Sequence, residues 1–299
     1  MLFCVFSFNR GRFLRNCIDS IERCAPNARI AVFDDNSNDE TTQKVLDDVA
    51  ARHAVIQPGH QSNRRLGGLY ANMQSALEYA GSEKLVCFLQ DDTQMVRPLS
   101  DDDVDAINLL LDDDHIGFVS PCFLRARNRR RDLRTMSFDS CRQVYFRRGA
   151  RQSAGQHFSA LLLMRPAKLR EKGWVFARSE PENDIQAAAL FGPMAYLKTP
   201  FAMWLPEVPT YRGKRKTLAL RYAERKRKCG YYPFRLLEAE QVQALRARDP
   251  AILPIAEDAL VCQSETPAKP WAFHPMQDDR WLQKLSAVEL ALRRWLRWG

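Results

Sequence analysis

The chain has 299 residues, of which 45% are apolar and 10% aromatic, and it carries a formal net charge of +9 at pH 7. This composition excludes a disordered chain, and the length suffices for one large domain or two small ones with a sizeable core. No run of about 18 apolar residues occurs, which argues against a transmembrane helix. The basic residues concentrate in the later part of the chain and indicate an anionic partner: phosphate, nucleic acid or a membrane surface.

The start of the chain and its cysteines predict the compartment. The chain opens directly with the apolar run "MLFCVFSF", without the charged start and cleavage site of a signal peptide. Eight cysteines are scattered without a C-x-x-C pair, as is typical of reduced thiols that act as small hydrophobes rather than of a zinc site. We therefore expect a cytoplasmic protein, with peripheral attachment to the inner face of the membrane as an alternative.

Strands and helices alternate over the first 90 residues. Apolar runs at 2–8, 28–33, 54–59 and 84–90 predict buried strands, and periodic segments at 12–24, 39–53 and 67–81 predict helices between them. Continuous apolar strands between helices indicate a mostly parallel sheet that is covered on both faces.

The pattern is less regular after about residue 115. Strands are expected at 116–124 and, from a looser alternation, at 137–148. A strand leads through Pro166 into a helix over 158–174, and another helix follows at 181–192. The segment "SETPAKPWAFHP" at 264–275 is rich in proline and is interpreted as a linker before the last helix.

Two predicted strands end in acidic clusters. "VFDDNSNDET" spans 32–41 and "FLQDDTQMV" spans 88–96. Ligands of parallel sheets bind beyond the carboxyl ends of the strands, so both clusters are expected in one cleft. Carboxylates that lie close together repel, and a divalent cation with oxygen ligands removes the repulsion. A solvated turn after each strand is the alternative.

Four segments in this order are similar to family 2 glycosyltransferases of the inverting GT-A type. They are "VFSFNRGRFLRNCIDSI", "IAVFDDNSNDET", "RRLGGLYANMQSALEYAGSEKLVCFLQDDTQMVRP" and "FSALLLMRPAKLREKGWVFARSEPENDIQAAALFG". The resemblance covers roughly residues 2–200. It implies an α/β, Rossmann-like fold with a glycosyltransferase domain over 1–215 and a basic helical C-terminal region over 216–299. Within the domain, 1–115 would bind the nucleotide sugar and 116–215 the acceptor.

The resemblance also implies residues that hold the nucleotide. Asp34 and Asp35 match the acidic pair that binds the base and ribose, and Asp91 would face the ribose or a metal-bound water. The remaining nucleotide-binding positions that it implies are Phe8, Asn9, Arg65 and Arg212. Gly67 and Gly68 would allow a close backbone approach at the start of a helix.

The "QDD" triplet resembles the D-x-D element, and by that match Asp92 holds Mn²⁺ or Mg²⁺. The first position departs from the usual pattern, because it is Gln90 and not an acid. Gln90 can still hydrogen-bond a ribose or sugar hydroxyl, but its presence weakens the expectation of metal dependence.

A general base must remove the proton of the acceptor hydroxyl during the attack on the anomeric carbon. The segment "SEPENDIQ" supplies Glu180, Glu182 and Asp184. Asp184 fits the start of the following helix best, and Glu182 is the alternative. Acids at a helix N-terminus also stabilise the helix, so capping is the competing interpretation.

Two basic stretches have open interpretations. Tyr211, Arg212 and Lys214 lie in "YRGKRK", where family members often carry a mobile loop that closes over the diphosphate. The stretch "RARNRRRDLR" at 125–134 could contact an anionic acceptor. A solvated face is the alternative for both.

The last segment predicts a basic amphipathic helix. Its apolar residues recur at helical spacing and are Trp281, Leu285, Val288, Leu292 and Trp295. Its positive charges lie largely off that stripe, at Lys284, Arg293, Arg294 and Arg297. Such a helix suits an anionic membrane surface, and core packing or dimerisation through the stripe is the alternative.

The sequence therefore predicts a glycosyltransferase that moves a sugar from a nucleoside diphosphate sugar, with UDP favoured, to a glycan or lipid-linked glycan, in cell-surface polysaccharide synthesis. A sugar nucleotidyltransferase is an alternative, but it should carry a G-x-G-T-R-like loop where this chain has "SFNRGRF". A basic protein that binds nucleic acid or membrane without catalysis would explain the net charge. It would not explain acidic clusters at two strand ends, so no nucleic acid partner is expected.

Overall fold

The computed structural model describes residues 1–57, 68–149, 155–210 and 215–295. Strands and helices alternate in the first part, as predicted. The strands are β1 (Leu2–Ser7), β2 (Arg29–Asp34), β3 (Ala54–Ile56) and β4 (Val86–Gln90), and the helices are α1 (Gly11–Cys24), α2 (Glu40–Ala50) and α3 (Leu69–Tyr79).

The middle of the chain consists of shorter elements. Its strands are β5 (Thr93–Met95), β6 (Val119–Ser120), β7 (Met136–Asp139), β8 (Val144–Arg147), β9 (Leu162–Met164), β10 (Ala195–Leu197) and β11 (Ala202–Trp204). Its helices are α4 (Asp101–Asp112), α5 (Arg129–Thr135), α6 (Pro166–Glu171) and α7 (Glu180–Leu190). The C-terminal region is helical, with α8 (Leu218–Lys226), α9 (Ala239–Ala247), α10 (Ala256–Ala259) and α11 (Arg280–Trp295).

The central sheet has nine strands within the described residues, in the order β3-β2-β1-β4-β9-β6-β10-β8-β7. The strands β3, β2, β1 and β4 are all parallel, whereas β9 runs antiparallel between β4 and β6. β6 and β10 are again parallel, and β8 and β7 form an antiparallel edge. The predicted fold class, an α/β protein with a mostly parallel central sheet and a C-terminal helical region, is confirmed.

Local sequence explains where the first helices form. α1 buries an apolar stripe at helical spacing, which consists of Phe13, Leu14, Cys17, Ile18 and Ile21. α2 begins after the N-cap Asp39, whose side chain accepts a hydrogen bond from the Thr42 amide at 2.8 Å. α4 begins with a capping box between Ser100 and Asp103.

The C-terminal region shares a core with the α/β part. One apolar cluster joins Phe13 and Met203 to Phe234 and Trp271. Trp271 is 1% exposed, and its ring packs on Phe234 with 5.4 Å between centroids. The interpretation of 264–275 as a linker is therefore wrong, because its central tryptophan is part of the core.

None of the helices within the described residues is both long and apolar enough to cross a membrane.

Candidate active site

Strand register brings the two acidic clusters to the same edge of the sheet. Ser7, the last residue of β1, pairs with Asp34 of β2, and its neighbour Phe6 pairs with Gln90 of β4. The pairs Asp34–Asp35 and Asp91–Asp92 therefore lie on either side of the carboxyl end of β1. With strands about 4.8 Å apart, β2 and β4 are separated by roughly 10 Å across β1.

Asp34 lies inside the protein beneath this edge. The residue is fully buried, and its carboxylate accepts hydrogen bonds from the Ser37 amide at 2.7 Å and the Ser37 hydroxyl at 2.5 Å. Burial raises the pKa of the Asp34 carboxyl, and the bonds from Ser37 oppose that shift. The structure thus uses Asp34 to hold the turn after β2, in which Asn36 has a φ of 59°.

Asn9 connects the loops that follow β1 and β2. Its amide donates to the Ser37 hydroxyl at 2.8 Å, and its side-chain oxygen accepts from the Asn38 amide at 2.8 Å. Asn9 itself has a φ of 50°, a left-handed conformation that asparagine tolerates better than most residues. Its neighbour Phe8 donates its amide to Asp91 at 3.1 Å. Phe8 and Asn9 therefore lie at the carboxyl end of β1 and join the loops that carry the two acidic pairs.

Asp35 contacts the start of α3. Its carboxylate accepts a hydrogen bond from the Gly68 amide at 2.9 Å. A Cβ on Gly68 would lie 1.9 Å from an Asp35 oxygen, so no larger residue fits at position 68 without displacing Asp35. Gly68 thus allows the Asp35 carboxylate to approach the start of α3 closely.

Arg10 is a site residue that the sequence patterns do not single out. Its guanidinium donates to Asp91 at 3.1 Å and to Asp92 at 2.6 Å. Burial opposes its charge, but the two carboxylates together raise the pKa of Arg10. The signal in the sequence was an arginine in the loop directly after β1, where the loop must meet the end of β4.

The Asp91–Asp92 pair has a carboxylate oxygen that is available to bind a cation. Asp91 is 4% exposed, and burial raises its pKa to about 7, with Asp92 adding to the shift and Arg10 opposing it. Asp92 has one buried oxygen with no hydrogen-bond partner within the described residues. A buried carboxylate oxygen without a partner, beside a second carboxylate, fits a hard divalent cation. The described part of the chain contains no group of three or more His, Cys, Asp or Glu side chains that could hold a metal ion.

Asp184, the predicted general base, is buried in the structure. It is 2% exposed, and one of its oxygens accepts from the His157 amide at 2.9 Å and the Phe158 amide at 3.0 Å. The other oxygen lies 3.7 Å from Nδ1 of His157. The carboxylate thus holds the segment that leads into β9. Glu182, the alternative base, is exposed in the first turn of α7.

Glu180, one residue after the N-cap of α7, has a different environment from both. Glu180 is partly buried, and burial raises the pKa of its carboxyl group. The charge of Arg125 opposes this shift, and the charge of Asp184 adds to it. Burial raises the pKa of Tyr70 in α3, and the charge of Glu180 raises it further. The charge of Glu180 is therefore felt by groups of α3 and by Arg125, whereas Asp184 is buried.

Arg125 completes this side of the cleft. Its guanidinium stacks 4.3 Å from the centroid of Trp204 and 4.0 Å from that of Phe273. Trp204 pairs with Thr93, the residue after Asp92, and so places Arg125 near the metal candidate. Burial lowers the pKa of Arg125, while the charges of Glu180 and Asp92 are among those that oppose the shift.

Some predicted site residues lie outside the described residues. They are Arg65, Gly67, Tyr211, Arg212, Lys214 and Arg297.

The chain is similar to several solved structures, among them those of TarS and of a mannosyltransferase. S. aureus TarS 1–349, solved in complex with UDP, has 15% identity and a TM-score of 0.44, over 68% of this chain and 60% of that one. This chain thus spans less than two thirds of the TarS fragment. Mannosyltransferase PcManGT of Pyrobaculum calidifontis, solved with GDP-Man and Mn²⁺, has 17% identity and a TM-score of 0.45, over 97% of this chain and 74% of that one. No curated protein matches the chain.

A family model matches much of the chain directly. The model described as glycosyl transferase family 2 matches residues 3–157, which are 155 of the 299 residues. The matched range contains β2 to β4, all of β1 except Leu2, both acidic pairs and Arg125. The chain therefore belongs to glycosyltransferase family 2 and has the GT-A fold that its sequence predicts.

Proposed function

We propose that this protein transfers a sugar from a nucleoside diphosphate sugar, with UDP as the nucleotide, to a saccharide or lipid-linked saccharide in cell-surface polysaccharide synthesis. The observation that carries the proposal is the strand register that brings two acidic pairs to either side of the carboxyl end of β1. Carboxylates at such an edge can accept hydrogen bonds from donor hydroxyls and can hold a cation.

Asp35 is proposed to bind the base or ribose of the donor. Its carboxylate is fixed by the Gly68 amide, yet the residue stays partly exposed and can accept from a hydroxyl or an N–H. Asp34 is proposed to act indirectly, because both of its carboxylate oxygens already accept hydrogen bonds from Ser37. Phe8 and Asn9 would hold the loop that the nucleotide contacts.

Asp92 is proposed to hold Mn²⁺ or Mg²⁺, with Asp91 beside it. A hard divalent cation of this kind takes one or two carboxylates together with substrate phosphate oxygens. Bound there, the cation would neutralise the charge that develops on the diphosphate leaving group. Arg10 would keep both carboxylates oriented through the bonds described above.

Glu180 is proposed as the general base, in place of Asp184 and Glu182. The acceptor oxygen attacks the anomeric carbon, its proton passes to the Glu180 carboxylate, and the bond to the diphosphate breaks with its electrons on the leaving oxygen. This single displacement inverts the anomeric centre. A raised pKa suits the role, because a stronger base accepts the proton more readily. Asp184 is proposed to position the 157–158 segment.

Arg125 is proposed to bind a phosphate, because its charge is held between two rings near Asp92. Arg125→Gln should lower kcat/KM for the donor by about 100-fold, since a cation on the leaving diphosphate acts mainly in the transition state. Steady-state kinetics measures this. Arg130→Gln, at an exposed arginine of the same basic stretch, is the matched control. Equal kinetics in the two variants would remove Arg125 from the site.

A donor panel tests the function as a whole. The full chain is incubated with UDP- and GDP-sugars, Mn²⁺ and saccharide acceptors, and release of the nucleoside diphosphate is measured. We expect release from one UDP-sugar, and loss of that release when EDTA removes the cation. Failure of every sugar nucleotide both to react and to raise the melting temperature would contradict the proposal.

A further inference from the structure

The apolar stripe of α11 faces away from the protein. Its five members are between 55% and 76% exposed: Trp281, Leu285, Val288, Leu292 and Trp295. Core packing within the described part of this chain, one of the two roles expected from the sequence, is therefore wrong for this stripe. An exposed row of large apolar side chains indicates an interaction surface.

A different, largely polar side of α11, which adjoins the stripe, holds the helix on the protein. Ser286 shares a hydrogen bond of 2.9 Å with Thr217, and Glu289 accepts from the Leu218 amide at 2.7 Å. Leu282 packs on the small cluster of Ala219, Ala223 and Met276. Specific bonds to the start of α8 thus determine the orientation of the stripe. In a helix that packs by its apolar face, the stripe would instead be buried.

The exposed side of α11 carries positive charge and no acid. Glu289 is the only acidic residue between Arg280 and Trp295, and it is engaged by Leu218 and Arg293. Arg280, Lys284 and Arg294 are exposed. The outward surface therefore combines tryptophan, aliphatic side chains and cations.

These features favour a lipid surface over a second copy of the chain. Two copies that met through the stripe would bring the exposed cations of both helices close together, and like charges repel. An anionic bilayer is complementary, because its surface attracts lysine and arginine side chains that lie near it. Trp281 and Trp295 are about 21 Å apart along the helix, so both can reach the headgroup level of a helix that lies flat.

We propose that α11 docks this protein on the surface of an anionic bilayer, with the stripe inserted among the headgroups and the cations on the lipid phosphates. This docking does not depend on the sugar donor. One consequence rests on the proposed function: a lipid-linked acceptor would be presented to the protein at the surface where α11 holds it.

Vesicle binding of the full chain tests the proposal. Wild-type protein is sedimented with phosphatidylcholine vesicles and with vesicles that also contain about one quarter phosphatidylglycerol. We expect binding to the anionic vesicles that weakens at high salt and is at least about tenfold weaker on neutral ones. The double variant Leu285→Gln/Leu292→Gln should lose binding to the anionic vesicles by at least about tenfold.

A matched control lies on the same helix. Leu290 is 45% exposed but off the stripe, and Leu290→Gln should bind anionic vesicles like the wild type. An unchanged melting temperature by circular dichroism shows that the variants fold. UDP binding tests the donor site separately from vesicle binding. Equal loss in the control, or equal binding to both vesicle types, would overturn the proposal. So would a dimer in sedimentation velocity that the stripe variant dissociates, without vesicle binding by the wild type.

Discussion

Asp92→Asn is expected to lower sugar transfer by at least about 1,000-fold while the fold survives. The substitution keeps the size of the side chain but removes the charge that a divalent cation needs, and the leaving diphosphate then loses its neutralising partner. Rates of nucleoside diphosphate release at saturating donor and Mn²⁺ measure the effect. Arg10 retains Asp91 as a partner, so the local structure should persist.

The control for this variant is Asp102→Asn. Asp102 is an exposed acid in the first turn of α4, and its loss should leave transfer within about twofold. Full activity of Asp92→Asn, with no change in its response to Mn²⁺, would show that Asp92 holds no cation.

Glu180→Gln is expected to lower kcat by about 100- to 10,000-fold with the donor still bound, because only the proton transfer is lost. For the wild type, the acidic limb of kcat against pH should lie above the ordinary range of a glutamate, since burial raises the pKa and the base works only when deprotonated. The measurements are pre-steady-state transfer rates, donor affinity and the pH profile.

Variants of Asp184 distinguish Glu180, the proposed general base, from Asp184, the general base that the sequence predicts. Asp184→Asn keeps an oxygen for the two backbone amides, so it should fold and retain most activity. Asp184→Ala leaves both amides without a partner at roughly 1–3 kcal/mol each and should unfold at a much lower temperature. If Asp184→Asn loses turnover and Glu180→Gln retains it, Asp184 is the base. Glu182→Gln should behave like the wild type.

The first half of the fold could be predicted because its signals are local. β1 is buried at all six positions, and the α1 stripe repeats at helical spacing, so period and length decide the assignment. β5 is not predictable from local pattern, because it has only three residues and its pairing with β11 depends on a contact distant in sequence. The prolines around Trp271 are typical of loops, so the sequence alone predicts a linker there.

The candidate site was predictable at the level of segments and not of single atoms. Both acidic pairs could be placed at one edge from strand order alone. Which member of a pair faces the cleft depends on the turn, and Ser37 turns Asp34 inward while Asp35 meets Gly68. At the start of α7 the sequence favours Asp184 over Glu182 as the general base, but helical spacing does not show which acid is buried. Only the packing against the 157–158 segment shows that Asp184 is buried.

The orientation of α11 is a similar case. The spacing of its apolar residues predicts a stripe, but spacing alone does not say whether the stripe is covered. The answer comes from Ser286 and Glu289, whose bonds to Thr217 and Leu218 turn the other face toward the protein.

Calorimetric titration of UDP into the full chain, with and without Mn²⁺, tests the central claim most directly. The claim is that the acidic pairs at the end of β1 bind a nucleoside diphosphate together with a cation. We predict saturable binding with Mn²⁺ that weakens at least about tenfold when the metal is omitted or Asp92 is replaced by asparagine. Absence of UDP binding in both conditions, or equal binding to wild type and Asp92→Asn regardless of the cation, would contradict it.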